Sequence, residues 1–472
     1  MSYNTTVDWI NQVLTKSQTL TDRQLRPRVD VSNKMTTAID RWASAYESTD
    51  KTRRLKLPAA IAGEHARLTT LEMASKISAP TGNAARAELL DGVYQRTLKQ
   101  LRKQIEYGLA KGGLIMKPYW DGETIRVDFV QADSFFPLAY DDSGGISSCC
   151  FINQLNRNGK LYTRFEMHDM QGDLLNIYNI AYQTGNDENL GQEISLTEVQ
   201  EWADILPYTQ LENVTGPLYG YFKVPVANIV DSASPLGASI YSKAEDLIQD
   251  AEDQYARILW EFKGSELAID ANASYLKRNS AGKLDLPEGK KRLYREYDVA
   301  AGINDKPFFN VFSPEIRDSS LFNGLNRILQ RIEFNCSLAY GTLSDVQLVE
   351  KTAEEIKSSK QRTYSAITDN QDALAAALED MVAAMDRLAT LYKATPPGEY
   401  EISFEWDDSI VVDTATEGAI RMQEVAAGLL KPTEYIKWRY GLKTDEEALE
   451  LMPGGNDLIE DEDPDDLIDL EE

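Results

Sequence analysis

Lys351-Thr352-Ala353-Glu354-Glu355-Ile356 lies at the start of a stretch, from about Glu350 to Ala394, that holds neither glycine nor proline. Nothing in it breaks a helix. An unbroken helix of that length runs about 65 Å at 1.5 Å per residue, where about 11 to 12 residues is usual. Ile367, Leu374, Leu378, Met381, Met385, Leu388 and Tyr392 follow one another at spacings of 7, 4, 3, 4, 3 and 4. Such a heptad-like seam predicts packing against a partner surface rather than a ligand box. Pro396-Pro397-Gly398 stops the run.

On the C-terminal side, Tyr400 to Trp406 alternates as one strand, and short helices are expected from about Thr414 to Leu451. From Thr444 to the end there are 14 Asp and Glu and no Lys or Arg, and Asn456 to Glu472 reads as a self-repelling acidic tail. On the N-terminal side, Gly341 to Val349 is a nine-residue loop where about two to eight residues usually join helices. Before it, Leu321, Leu325, Ile328, Leu329, Ile332 and Cys336 stripe a helix from about Ser319 to Tyr340.

A further helix is predicted from about Ser239 to Lys263. Its apolar stripe includes Ala244, Leu247, Ile248, Ala251, Tyr255 and Ile258, and its other face is acidic, with Glu245, Asp246, Asp250, Glu252 and Asp253. Between the two striped helices lies a β-rich insert, roughly Glu266 to Phe312, with Lys290, Lys291, Arg292 and Arg295 clustered in it. Earlier, short β-branched and aromatic runs between Ile115 and Tyr182 predict one antiparallel sheet of hairpins, with turns at Asp121-Gly122 and Asn158-Gly159. Residues 1 to about 112 read as helical, with a break at Gly112-Gly113. The fold class expected is α+β.

The chain has 472 residues and a formal net charge of −27, which argues against wrapping nucleic acid on a basic face. No stretch approaches the roughly 20 apolar residues of a membrane span, and the N-terminus does not read as a signal peptide. Cys149, Cys150 and Cys336 make no disulfide framework, so a reducing compartment is expected. Catalytic patterns are missing too. His65 and His168 belong to no metal-ligand spacing, and Gly216-Pro217-Leu218-Tyr219-Gly220 lacks the lysine and hydroxyl of a phosphate loop. Asp407, Asp408 and Asp413 fit turn chemistry as well as a cation site. We expect no enzyme, no cofactor and no metal. The rival readings are an oligomeric helical scaffold without a DNA role and an enzyme working through a carboxylate pair.

The order of elements resembles the portal proteins of tailed double-stranded DNA phages, of the long-tailed siphophage type. The sharpest local match is Lys351-Thr352-Ala353-Glu354-Glu355-Ile356, similar to the stretch that opens the long helix of that family. A second is Lys111-Gly112-Gly113-Leu114-Ile115-Met116-Lys117-Pro118-Tyr119, followed by Ala132-Asp133-Ser134-Phe135-Phe136-Pro137-Leu138. Phe404-Glu405-Trp406-Asp407-Asp408-Ser409-Ile410, followed by a helix that ends at Gly428-Leu429-Leu430, is the third.

The resemblance implies a wing over residues 1–232, a first stem helix over 233–265, a clip over 266–316 and a second stem helix over 317–340. It further implies a tunnel loop over 341–349, a long wing helix with its closing strand over 350–412 and a crown over 413–455. The acidic tail, 456–472, receives no role. By the same resemblance the protein is a dodecameric ring at one capsid vertex of the virion, assembled in the host cytoplasm, through which double-stranded DNA passes in packaging and ejection. Implied partners are further copies of itself, the terminase large subunit, a head-completion adaptor, and the major capsid and scaffolding proteins. Asp345, Val346, Gln347, Leu348 and Lys351 become tunnel-loop residues, Lys290, Lys291, Arg292 and Arg295 clip docking residues, and Ile258, Leu325, Ile328 and Ile332 stem packing residues.

Overall fold

Alternation of long apolar-striped helices with hairpin-forming runs produces an α+β architecture in this computed structural model. It describes every residue except 1, 21–27, 49–54, 72, 81–83, 158, 185–188, 266–267, 273–293, 298–308, 313–314, 346–352, 407–413, 443 and 453–472. Two units are distinguished, Met1–Glu405 and Trp406–Glu472.

The N-terminal part of the first unit holds helices α1 (Tyr3–Leu20), α2 (Asn33–Glu47) and α3 (Leu57–Thr69), strand β1 (Ala74–Ser78) and helix α4 (Ala85–Lys111). The amphipathic logic is plain in α2, where Met35, Ala38, Ile39 and Trp42 are buried at helical spacing and the Ser32 side chain caps the start by accepting from the Met35 amide. The all-helical expectation for this region is corrected by β1. Its only partner strand among the described residues is β14 (Glu401–Glu405), with Ala74 opposite Glu405 and Ile77 opposite Ile402. A strand whose partner lies more than three hundred residues away has no local hairpin signal to betray it.

Helix α4 stops where expected. Gly112 adopts φ 99°, and a Cβ there would stand 2.8 Å from the Gly237 carbonyl oxygen, so both the turn and the close approach require glycine. The chain then forms β2 (Gly113–Trp120), β3 (Ile125–Gln131), β4 (Phe135–Tyr140), β5 (Ile146–Arg157), β6 (Lys160–Gln171), β7 (Leu174–Thr184), β8 (Gln192–Ile194), β9 (Tyr208–Leu211) and β10 (Gly220–Lys223). Instead of the single expected sheet there are two. One has the order β10-β2-β3, and the other runs β4-β5-β6-β7-β8 with β9 also paired to β7. The split follows from burial: β2 is buried from Gly113 through Pro118, a both-faces pattern, whereas β5 is buried only in its first half. Both turn signals hold. Asp121 accepts from the amides of Glu123 and Thr124 around Gly122 at φ 103°, and Gly159 has φ 73° between β5 and β6.

Helix α5 (Glu245–Gly264) leads into strands β11 (Ala268–Asn272), β12 (Tyr294–Tyr297) and β13 (Phe309–Phe312), after which α6 (Asp318–Asn335) and α7 (Ala353–Leu391) follow. The heptad-like seam is intramolecular. Ile367, Leu374, Leu378, Met381, Met385 and Leu388 are buried, and α7 packs on β10, β2, α3 and α4. Tyr392 stays half exposed beyond the helix end and stacks on Trp120 with ring centroids 5.0 Å apart. The helix ends before the prolines because Lys393 turns to φ 53° and the Ala394 amide reaches back to the Ala389 carbonyl. Buried Arg86 then fastens this end through the carbonyls of Asp386, Thr395 and Pro396.

The second unit contains α8 (Thr414–Ala426), α9 (Pro432–Tyr440) and α10 (Asp445–Glu450), within the span predicted for short helices. Arg421 lies over the Trp438 ring, and Lys437 bridges Glu434 and Asp445. Asp407, Asp408, Asp413 and the acidic tail lie outside the described residues.

Candidate functional site

The two striped helices form an antiparallel pair. Residues Ser239–Lys243, read from sequence as helix, instead tie the approach to α5 into the body of the unit: the Ile240 amide donates to the Leu109 carbonyl and the Tyr241 hydroxyl to the Trp42 carbonyl. Only Ser242–Ala244 makes a short 3₁₀ turn before α5 begins at Glu245. Those bonds are long-range and give no periodic signal. Ile258 on α5 and Leu325 and Ile332 on α6 are buried, while Ile328 is half buried.

The acidic face of α5 is not uniform, which corrects the reading that put five carboxylates on it. Glu252 is only 4% exposed, and both of its oxygens accept from the Leu55 amide, at 3.1 and 3.2 Å. Glu245 accepts from Trp42 Nε1 at 2.7 Å and pairs with the Arg41 guanidinium. Asp246, Asp250 and Asp253 remain exposed. A carboxylate withdrawn from water needs donors, and here α2 and the residue preceding Lys56 supply them.

Beyond α6 the chain folds back on the helix it has just left. Glu333, 0% exposed, gathers the start of the loop: its Oε1 accepts from the amides of Gly341, Leu343 and Ser344 at 3.1, 2.7 and 2.8 Å. Its Oε2 accepts from the Ser344 hydroxyl at 2.8 Å. Two turns back along the helix, Asn326 clamps Asp345 from both sides, accepting from its amide at 2.7 Å and donating to its carbonyl at 3.1 Å. Residues 341–345 are therefore a backbone nest closed around a buried anion. Glu333 and Asn326 were not singled out from sequence; the usable signal was two polar residues seven apart beside an apolar stripe and just ahead of a Gly-Thr-Leu-Ser turn.

His65 on α3 secures the same corner, donating from Nε2 to the Cys336 carbonyl at 2.7 Å and leaving Nδ1 buried without a hydrogen-bond partner. Burial lowers its pKa to about 4, a shift only partly offset by the Cys336 bond and Glu64. The ring is thus neutral in the fold and protonates more readily once unfolded, near about pH 6.5. Falling pH therefore favours the unfolded chain, starting below about 6.5 and levelling near 4, with roughly 3 kcal/mol at stake. A His65→Gln variant should flatten the stability-versus-pH curve between those limits in urea titrations. An unchanged slope would contradict the assignment.

A second ionic cluster joins the two sheets. Glu166 on β6 meets Lys117 Nζ on β2 at 2.8 Å, His168 Nε2 at 2.8 Å and Arg164 Nη2 at 3.2 Å. Burial pushes the Glu166 carboxyl up, but Lys117, His168 and Arg164 outweigh it and hold the group well below the usual carboxylate range. Both histidines are thus committed to structural bonds. Among the described residues no group of three His, Cys, Asp or Glu side chains is placed to hold a metal ion, and no helix is long and apolar enough to cross a membrane.

The family model of the phage portal protein, SPP1 Gp6-like, matches residues 93–453, a span from α4 to just past α10. The chain belongs to this family of phage portal proteins. Among solved structures, the neck of a native GTA particle computed with C12 symmetry is similar at a TM-score of 0.36 and 10% identity, covering 86% of this chain and 93% of that one. No curated protein matches.

In this portal chain Asp345 is exposed at the end of the clamped turn, while Val346, Gln347, Leu348 and Lys351 lie outside the described residues. So do Lys290, Lys291 and Arg292. Arg295 falls on β12, in register with Asp270 of β11. Strand β11 is central in its small sheet, parallel to β12 and antiparallel to β13.

Proposed function

We propose that this portal protein assembles into a ring, with twelve copies as the family resemblance implies, around a channel for double-stranded DNA at one capsid vertex. The observation that carries the reading is the portal family match over residues 93–453. The element order within that span supports it: a helix, a small sheet, an antiparallel return helix and, after the connection that holds Gly341, a 39-residue helix. In this reading α5 and α6 are the stem, β11–β13 belong to the clip, the loop from Gly341 faces the tunnel, α7 crosses the wing, and α8–α10 form the crown. Lys290, Lys291, Arg292 and Arg295 dock the terminase large subunit during packaging and the head-completion adaptor afterwards. Major capsid and scaffolding proteins surround the ring. The chain itself hydrolyses no nucleotide; the motor does.

A channel for a sliding polyanion must avoid neutralising many phosphates at once, because each persistent contact adds salt-sensitive affinity that would stall movement. The loop suits that demand. Asp345 repels phosphate, Val346 and Leu348 offer apolar contact, and a single Lys351 per copy gives a sparse ring of positive charge. Replacing Asp345 to Leu348 by Gly-Ser is expected to leave ring assembly near normal and to impair packaging or retention of DNA in a terminase-driven assay. Normal packaging would remove the tunnel role from these residues; failed assembly would assign them to packing at the start of α7.

A further inference from the structure

The α5–α6 pair is electrostatically two-sided. Asp246 and Asp250 are exposed on α5, and so are Arg327 and Arg331 on α6. Among the described residues none of these four has an ion-pair partner; Arg327 makes only a 3.4 Å bond to Gln330. At the other end of the pair the signs are reversed, with Arg257 exposed on α5 and Asp318 on α6. Trp260, on the same face as Asp246 and Asp250, is 71% exposed.

Heights along the pair are fixed by two cross-links. Asn335 Nδ2 donates to the Lys243 carbonyl at one end, and Arg317 pairs with Glu261 at the other. Counting inward from the first of these, Asp246 stands level with Arg331 and Asp250 with Arg327 to within about one residue, or about 1.5 Å of rise. A rotation about an axis along the pair preserves these heights, so two copies related in that way bring each aspartate opposite an arginine of its neighbour. A two-fold axis parallel to the pair does the reverse, setting α5 against α5 and α6 against α6 at equal heights, and it juxtaposes like charges. For copies that stand side by side in the same direction the pattern is complementary only head to tail, the relation that generates rings.

We infer that the acidic face of α5 in one copy docks on the arginine side of α6 in the next. Asp246 then pairs with the neighbour's Arg331 and Asp250 with its Arg327, while Trp260 is covered at the same seam. The inference rests on the portal reading for the closure of the ring and adds which surfaces meet and in what register. It assigns these aspartates to a subunit contact rather than to the channel wall.

The test uses two full-length variants, Asp246→Arg with Asp250→Arg and Arg327→Asp with Arg331→Asp, measured by native mass spectrometry at a concentration where the wild type is assembled. Circular dichroism melting checks the fold; a variant that melts early is replaced by the corresponding Asn or Gln pair. Each variant alone should lose assembly by about tenfold or more in apparent dissociation constant. Mixed in equal amounts, or combined as four substitutions in one chain, they should recover it, because every contact regains opposite charges. Rings formed by each variant alone at wild-type concentration would overturn the pairing and leave the portal reading standing. Loss without recovery on mixing would overturn it as well, and a wild type that never assembles would overturn both.

Discussion

Gly220→Ala is expected to lower the stability of the first unit by about 3 kcal/mol or more, at or beyond the top of the range usual for overpacking. Strand β10 crosses α7 so closely that a Cβ at Gly220 would sit 2.1 Å from the Ala377 carbonyl oxygen and 2.8 Å from the Met381 nitrogen. Both are helix backbone, so no side-chain rotation relieves the clash. Nor can β10 retreat cheaply, since Gly220 is in register with Met116 of the fully buried part of β2. Either the strand leaves its sheet or α7 is displaced from the surface that buries Leu378 and Met381. Urea unfolding should show a lower midpoint with an unchanged slope; stability within about 0.5 kcal/mol of wild type would contradict the packing of β10 on α7.

The second large effect is expected at Glu333. Alanine there strands the amides of Leu343 and Ser344 and the Ser344 hydroxyl, leaves the Gly341 amide only the Ser344 hydroxyl oxygen at 3.3 Å, and each buried donor without a partner costs about 1–3 kcal/mol unless water reaches it. The turn should open rather than bear that cost. Amide exchange across 341–345 should accelerate by about a hundredfold or more, since sub-global opening energies set such rates. Glu333→Gln keeps one oxygen acceptor and loses the charge, so it should fall between wild type and alanine. Protection unchanged in Glu333→Ala would show that the turn is held by something other than this carboxylate. Because the turn is the first part of the proposed tunnel loop, the same variant should misplace Asp345 and reduce DNA packaging more than it reduces assembly.

What the sequence made legible was what repeats locally. The spacing from Ile367 to Leu388 marked a buried face because helical period and apolar choice coincide over several turns, and α7 buries those residues. Asp121-Gly122 and Gly112 were legible because a backbone at positive φ selects few residues. What escaped was set by contacts between distant segments. Strand β1 is defined by β14, the inward turn of Glu252 by the Leu55 amide, and the bend before α5 by Leu109 and Trp42. At the candidate site the stripe of α6 could be read, but Glu333 and Asn326 could not be told from ordinary polar positions until the following turn was seen folded back on them. The basic cluster from Lys290 to Arg292 falls outside the described residues, so its role stands on the sequence reading.

The portal reading turns on assembly into a ring. Single-particle electron microscopy of the purified full-length protein, with mass measured on the same sample, tests it most directly. It predicts closed rings with a central hole and a mass near twelve copies. Particles that remain monomeric at concentrations up to about tens of micromolar, where even weak specific contacts form, would contradict it.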